Sequence, residues 1–125
     1  MPYNLAGSAY INDDRTITRY ATTHNILGSG SGSRTIDISL GNFVSATTTG
    51  TTTWTFSNPI SASTAATGFV LELTNGGSAT QNWPSVKWPG GTAPTLTTSG
   101  VDILTFVTDD SGTTWRGVVT MLDSK

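Results

Sequence analysis

The sequence predicts an all-β fold, an antiparallel β-sandwich or small β-barrel with an extended N-terminal arm, and three observations carry that prediction. Thr and Ser make up roughly a third of the chain, while charged residues are only 11%. Thr is β-branched and suits a half-buried pleated surface, so this polarity favours strands over helices. Apolar residues recur two apart, as in Ile36, Ile38 and Leu40 or Phe69, Leu71 and Leu73, which is the period of a strand with one buried face. The apolar runs are separated by turn-forming clusters at intervals of ~8 to 12 residues, the spacing of sandwiches and small barrels.

A length of 125 residues suits one domain with one core. Two regions are expected within it. Residues 1–33 read as an arm ending in a Gly/Ser joint, and residues 34–125 as the β-sandwich-like domain. The arm mixes polar and apolar types without firm alternation, although residues 16–23 could pair as a strand. It carries Asp13-Asp14-Arg15 and Arg19, as expected of a segment lying on a solvated surface or on a neighbouring subunit. Arg15, Arg19 and Tyr20 are its candidate assembly contacts. The run Gly28-Ser29-Gly30-Ser31-Gly32-Ser33 reads as a flexible joint by composition.

From Arg34 the alternation is steady. Ile36, Ile38 and Leu40 share one face, with Thr35, Asp37 and Ser39 on the other. Phe43-Val44 and the Thr tract over residues 47–53 lead to Trp54 and Phe56, and Asn58-Pro59 ends that strand. The tract around Gly50 is expected to form a hairpin with ladders of hydroxyls. Phe69, Leu71 and Leu73 should point inward and Val70, Glu72 and Thr74 outward, before the turn Asn75-Gly76-Gly77. Two Trp-Pro pairs and Gly90-Gly91 exclude a central strand from residues 82–94. Residues 101–108 and 113–122 form a terminal hairpin around Asp109-Asp110-Ser111-Gly112. The total is about seven short strands, paired antiparallel.

The chemistry available is sparse. One His, eight acids and no Cys leave no disulfide, no thiolate metal site and few groups for acid–base work. His24 has no second His nearby and reads as a surface or interface residue rather than a metal ligand. The neighbours Asp13-Asp14 and Asp109-Asp110 would point to opposite faces of a strand and not act as an acid and base pair; a hydrolase would need Asp102 and Glu72 to meet in a cleft instead. The chain is therefore read as a binding or assembly protein, not an enzyme, with no catalytic residues, no cofactor and no metal. A net charge of -2 and a pI near 4.9 give no basic face for nucleic acid. No apolar run approaches the ~18 residues of a membrane span, and Met1-Pro2-Tyr3-Asn4-Leu5 lacks the pattern of a signal peptide. The expectation is a protein made in a cytosol and remaining soluble there, with no membrane partner.

Two local motifs stand out. Thr108-Asp109-Asp110-Ser111-Gly112-Thr113-Thr114-Trp115 resembles the Asp-box, a hairpin signature of sialidases and other β proteins. Its physical content is a carboxylate accepting from backbone N–H groups, a Gly at positive φ and a Trp over the corner. One copy points to a hairpin, not to glycan hydrolysis or calcium. The second motif runs Trp83-Pro84-Ser85-Val86-Lys87-Trp88-Pro89-Gly90-Gly91. Its rings could stack on sugar, with Lys87 as a donor, or cap the core or a subunit interface. Trp83, Lys87 and Trp88 are thus candidate glycan or interface contacts.

Several stretches are similar in order and spacing to a β-rich module of marine and cyanobacterial phage structural proteins. They are Thr35-Ile36-Asp37-Ile38-Ser39-Leu40-Gly41-Asn42-Phe43, Thr53-Trp54-Thr55-Phe56-Ser57-Asn58-Pro59, Phe69-Val70-Leu71-Glu72-Leu73-Thr74-Asn75-Gly76-Gly77, Val86-Lys87-Trp88-Pro89-Gly90-Gly91-Thr92-Ala93-Pro94, Ser99-Gly100-Val101-Asp102 and Met121-Leu122-Asp123-Ser124-Lys125. The resemblance covers roughly residues 35–125. It implies a place on a virion assembled in the host cytoplasm, among other capsid or tail proteins. With one globular domain and an arm, the leading expectation is a capsid decoration or cement protein, homo-oligomeric, with a trimer as the first stoichiometry to consider. The rival is a tail-fibre or receptor-binding component that recognises host surface glycan.

Overall fold

The structure, a computed structural model, describes residues 20–125. Its strands are β1 (His24–Asp37), β2 (Phe43–Ser57), β3 (Thr67–Thr74), β4 (Gln81–Asn82), β5 (Val86–Lys87), β6 (Val101–Thr108) and β7 (Trp115–Met121), joined by short turns and 3-10 segments. The all-β class expected from the sequence is the one found. The seven strands form one mixed sheet in the order β1-β2-β3-β6-β7-β5, with β4 also beside β2, and the sheet is not closed into a barrel. Pairing is not antiparallel throughout: β1–β2, β2–β3, β2–β4 and β5–β7 are parallel, whereas β3–β6 and β6–β7 are antiparallel.

The parallel part is a coil. Only residues 38–42 connect β1 to β2, yet His24 pairs with Phe43 and Asp37 with Ser57 along the full length of both strands. The end of β1 must therefore lie close to its own start. Gly41 marks that closure, because a Cβ there would stand 2.3 Å from the Thr23 carbonyl oxygen. The next turn repeats the pattern: Phe43 pairs with Val70 and, further along β2, Thr52 pairs with Gln81. The chain thus stacks three turns, and each turn has two sides joined by a corner.

The first corner falls where the sequence suggests a flexible joint. Residues 28–33 lie instead inside β1. Gly28 and Gly32 adopt φ of +71° and +74°, which only Gly reaches without strain, and the register with β2 shifts beside each of them. Shifts of this kind bend a strand. The same corner in β2 falls at residues 49–51, which the register skips. The Thr tract is therefore no hairpin; it runs through one continuous strand. Thr48 and Thr52, both buried, lie 3.1 Å apart through their hydroxyls and both reach the Gly50 carbonyl, at 2.8 and 2.9 Å. The hydroxyls satisfy backbone polarity that the bend withdraws from the sheet.

The corners create two facing walls. The larger wall takes the first halves of β1 and β2, then β3, β6 and β7. The smaller takes the second halves of β1 and β2 and the short β4. Between them sits the core: Val44, Phe69, Leu71, Leu73, Leu104, Phe106 and Trp115 from the larger wall, Ile36 and Trp54 from the smaller. Phe56 crosses the gap, its ring centroid 4.9 Å from Phe69, 5.0 Å from Phe106 and 5.4 Å from Trp115. Inward Phe69, Leu71 and Leu73 alternate with partly exposed Val70, Glu72 and Thr74, as the period-2 pattern implies. One alternation stops early. Ile36 and Ile38 are buried, but Leu40 is exposed, because β1 ends at Asp37, whose carboxylate accepts from the Ser39 N–H at 3.0 Å and starts a 3-10 turn.

Candidate functional site

Three groups of residues were singled out by the sequence: the arm, the Trp-Pro stretch and the acids. In the arm, Arg15 and Arg19 lie outside the described residues, as do Asp13 and Asp14. Tyr20 is almost fully exposed, in a stretch without regular structure that precedes β1.

Trp83 and Trp88 follow from local strand ends. Gln81–Asn82 pairs beside Thr52 and Thr53 of β2, so Trp83 continues the row above Trp54. The two indoles stack at 6.0 Å with an interplanar angle of 11°. Arg34, paired with Trp54 across β1 and β2, places its guanidinium 5.5 Å from the Trp54 ring. A ladder of Arg34, Trp54 and Trp83 therefore runs up the smaller wall. Its polar ends are satisfied: the Trp54 Nε1–H donates to Gln81 Oε1 at 2.8 Å, and the Arg34 guanidinium donates to the carbonyls of Leu27, Gly28 and Thr47 at 3.0 to 3.3 Å. Partial burial of the guanidinium lowers its pKa from the ordinary arginine value, leaving it a cation at neutral pH.

Trp88 meets Trp83 edge-on at 5.6 Å and Phe106 at 5.6 Å. Its ring also lies over Gly117, where a Cβ would stand 2.9 Å from it. Both indoles are half-buried against the core, whereas Lys87 is exposed on β5. Among the described residues, the contacts of both rings are packing contacts.

The acids are dispersed. Asp102 and Glu72 sit on neighbouring strands in adjacent register rows, Leu73 opposite Asp102 and Glu72 opposite Ile103, so they face opposite sides of the sheet. Asp102 is fully buried and accepts from the Thr97 N–H and hydroxyl at 2.7 and 2.6 Å and from the Asp123 N–H at 2.9 Å. It ties the loop before β6 to the C-terminal tail. Asp110 accepts from the Thr114 N–H at 2.9 Å and lies 2.9 Å from the Thr108 hydroxyl. Those bonds, the backbone one first, hold its carboxyl below the usual range. With Gly112 at φ +87° and Trp115 buried, this is the hairpin that the Asp-box resemblance implies. Asp109 instead faces Arg116 at 3.6 Å on the surface. His24 is exposed, its Nε2 2.8 Å from the Ser45 hydroxyl and its ring edge-on to Phe43 at 5.2 Å. Among the described residues no group of three His, Cys, Asp or Glu side chains is placed to hold a metal ion.

A surface that sequence inspection missed is the outer face of the larger wall. Register rows carry His24, Phe43, Val70, Thr105 and Val118 side by side, then Ile26, Ser45, Glu72, Ile103 and Met121, then Gly68, Val107 and Arg116. Ile26 is 71% exposed and Val107, Val118 and Met121 are 44–51% exposed. Alternation identifies one outward face at a time; only the register shows that these faces are coplanar neighbours. No protein-family model, curated protein or solved structure matches the chain.

Proposed function

We propose that the protein is a structural component of a phage particle, a capsid decoration or cement protein that assembles on the shell with other virion proteins and with copies of itself. The observation that supports this reading best is the outer face of the larger wall. Five adjacent strands present apolar and hydroxyl side chains there, and among the residues in its rows Glu72 is the one acid and Arg116 the one Lys or Arg. Scattered exposed apolar residues are ordinary, but a contiguous patch of them marks an interaction surface. The resemblance of residues 35–125 to phage structural modules supplies the particle, and the use of the Asp37, Asp102 and Asp110 carboxylates in structural hydrogen bonds supports assembly over catalysis.

Attachment is assigned to this face together with the arm, now confined to the residues before β1. Deleting all of residues 1–33 would remove most of the corner strand as well as the arm, so the cleaner variant is the double substitution Val107→Asp and Val118→Asp. Both positions are exposed, so the fold should be retained. Binding of the purified chain to particles lacking it should fall by at least about tenfold, the effect of losing ~1.4 kcal/mol, with an unchanged circular dichroism spectrum. Undiminished binding would overturn the assignment.

A further inference from the structure

We infer that the outer face of the larger wall pairs with the same face of a second copy of the chain, as a twofold dimer in which Arg116 of each copy enters a groove beside Glu72 of the other. The inference rests on the reading of this face as an interaction surface, and it names the partner.

The face carries both a recess and a projection. A groove of about 240 Å³ opens over β1, β2 and β3, lined by Ile26, Ser45, Thr47, Thr74 and Glu72 among others. Glu72 is the one charged residue of its lining. The Ser45 hydroxyl already meets His24, but the hydroxyls of Thr47 and Thr74 and the Glu72 carboxylate make no hydrogen bond or ion pair among the described residues. A carboxylate, two hydroxyl acceptors and the apolar edge of Ile26 suit a side chain with an apolar stem and a cationic head. Arg116 is such a side chain. It stands out from the same face on β7, 63% exposed, and its guanidinium meets Asp109, itself 75% exposed, at 3.6 Å. A surface pair of that kind contributes little and exchanges readily.

One rotation brings the two features together. Glu72 lies on β3 in the row of Ile103, Arg116 on β7 in the row of Val107, and β6 runs between them. They are therefore separated by about 10 Å across the sheet and about 14 Å along it. Midway between them stands Thr105 of β6. A twofold axis in the contact plane over Thr105, perpendicular to the line from Glu72 to Arg116, exchanges the two positions, so both ion pairs form at once. The same rotation sets Val107 of one copy near Val70 of the other and brings the two Val118 side chains close to the axis. Exposed valines are then covered at the centre and the charges lie at the rim, the usual anatomy of an interface. Strands of the two copies cross nearer to right angles than to alignment, one of the two ways in which sheets pack face to face. Val107 and Val118, whose substitution should weaken particle binding, both lie in this contact; two joined copies hold a lattice more tightly than one.

The test is the mass of the full chain in solution, by sedimentation equilibrium over about 1 µM to 1 mM, a range that covers weak association. A monomer–dimer equilibrium is expected. Glu72→Arg and Arg116→Glu each set like charges together at both ends of the contact, and each should raise the dissociation constant at least about tenfold. Arg116 is exposed, so Arg116→Glu should keep the fold and decides the matter even if Glu72→Arg, at a half-buried position, does not fold. The double variant restores opposite charges and should return the dissociation constant to within about threefold of wild type. A chain monomeric throughout, a trimer in place of the dimer, single reversals without effect, or a folded double variant no tighter than the singles would overturn the inference. Particle binding is read separately. A monomeric chain that still binds particles overturns the dimer alone, whereas a charge-sensitive dimer that binds no particle supports the dimer and overturns attachment.

Discussion

The two walls of the coil keep their strands in register by different means. In the larger wall β3 pairs with β6 along its whole length, from Thr67 opposite Thr108 to Thr74 opposite Val101, and β6 pairs in turn with β7. Backbone ladders there are long, interrupted by register shifts beside Ile26 and Ile103, and Val44, Leu71 and Leu104 pack with Phe69 and Phe106 on the inner face. In the smaller wall the third turn contributes only Gln81 and Asn82. Where the backbone ladder is this short, Trp54, Trp83 and Arg34 take over through stacking, and Gln81 fixes the indole that lies between the other two. Aromatic stacking supplies order that two residues of strand would not supply alone.

The sharpest way to break that comparison is Trp54→Ala. Removing a fully buried Trp costs about 3–5 kcal/mol, and it should also release Gln81–Asn82, seen as loss of amide protection at Thr52 and Asn82. By contrast, Leu71→Met in the larger wall, also at a fully buried position, should cost under ~1.5 kcal/mol because volume is nearly conserved. Equal protection of β4 in wild type and Trp54→Ala would show that backbone pairing alone holds the smaller wall.

A smaller effect is expected of Gln81→Leu. It keeps the apolar contacts of the side chain and leaves the Trp54 indole N–H unpaired, at a cost of about 1–3 kcal/mol, measurable by denaturant unfolding. If stability were unchanged, the indole would not depend on Gln81.

The smallest effects belong to the exposed carboxylates that close the turns. Asp37 is held below the ordinary range chiefly by the Ser39 hydroxyl and then by the Asn58 amide, and Asp110 chiefly by the Thr114 N–H. A carboxyl with a lowered folded-state pKa contributes stability above its unfolded value, about 3.9, and loses that contribution as pH falls through the folded value. Melting temperature should therefore decline below about pH 4, and Asp110→Asn should flatten part of that decline. An unaltered acid limb in the variant would remove Asp110 from the account.

How much of this was legible in the sequence varies by element. Phe69, Leu71 and Leu73 and the terminal hairpin could be read directly, because local alternation and turn chemistry determine them. The coil could not. At its corners Gly and Ser carry no side-chain pattern, so residues 28–33 look like a linker although they lie within a strand. Parallel pairing adds contacts between residues far apart in sequence, which period-2 counting does not sense. One signal was present: Arg15-Thr16-Ile17 recurs as Arg34-Thr35-Ile36, nineteen residues on, the same offset as that between His24 and Phe43. Repeats of about this length are a mark of coiled β architectures. Trp83 stood out as a large aromatic residue, but its stacking on Trp54 rests on the pairing of Gln81 with Thr52, which joins residues far apart in sequence.

The most direct test of the particle role is to locate the chain in images of the virion, using a tag at the exposed C-terminal residue Lys125. The account predicts density at regular lattice points over the capsid shell. Density confined to a tail appendage would contradict it.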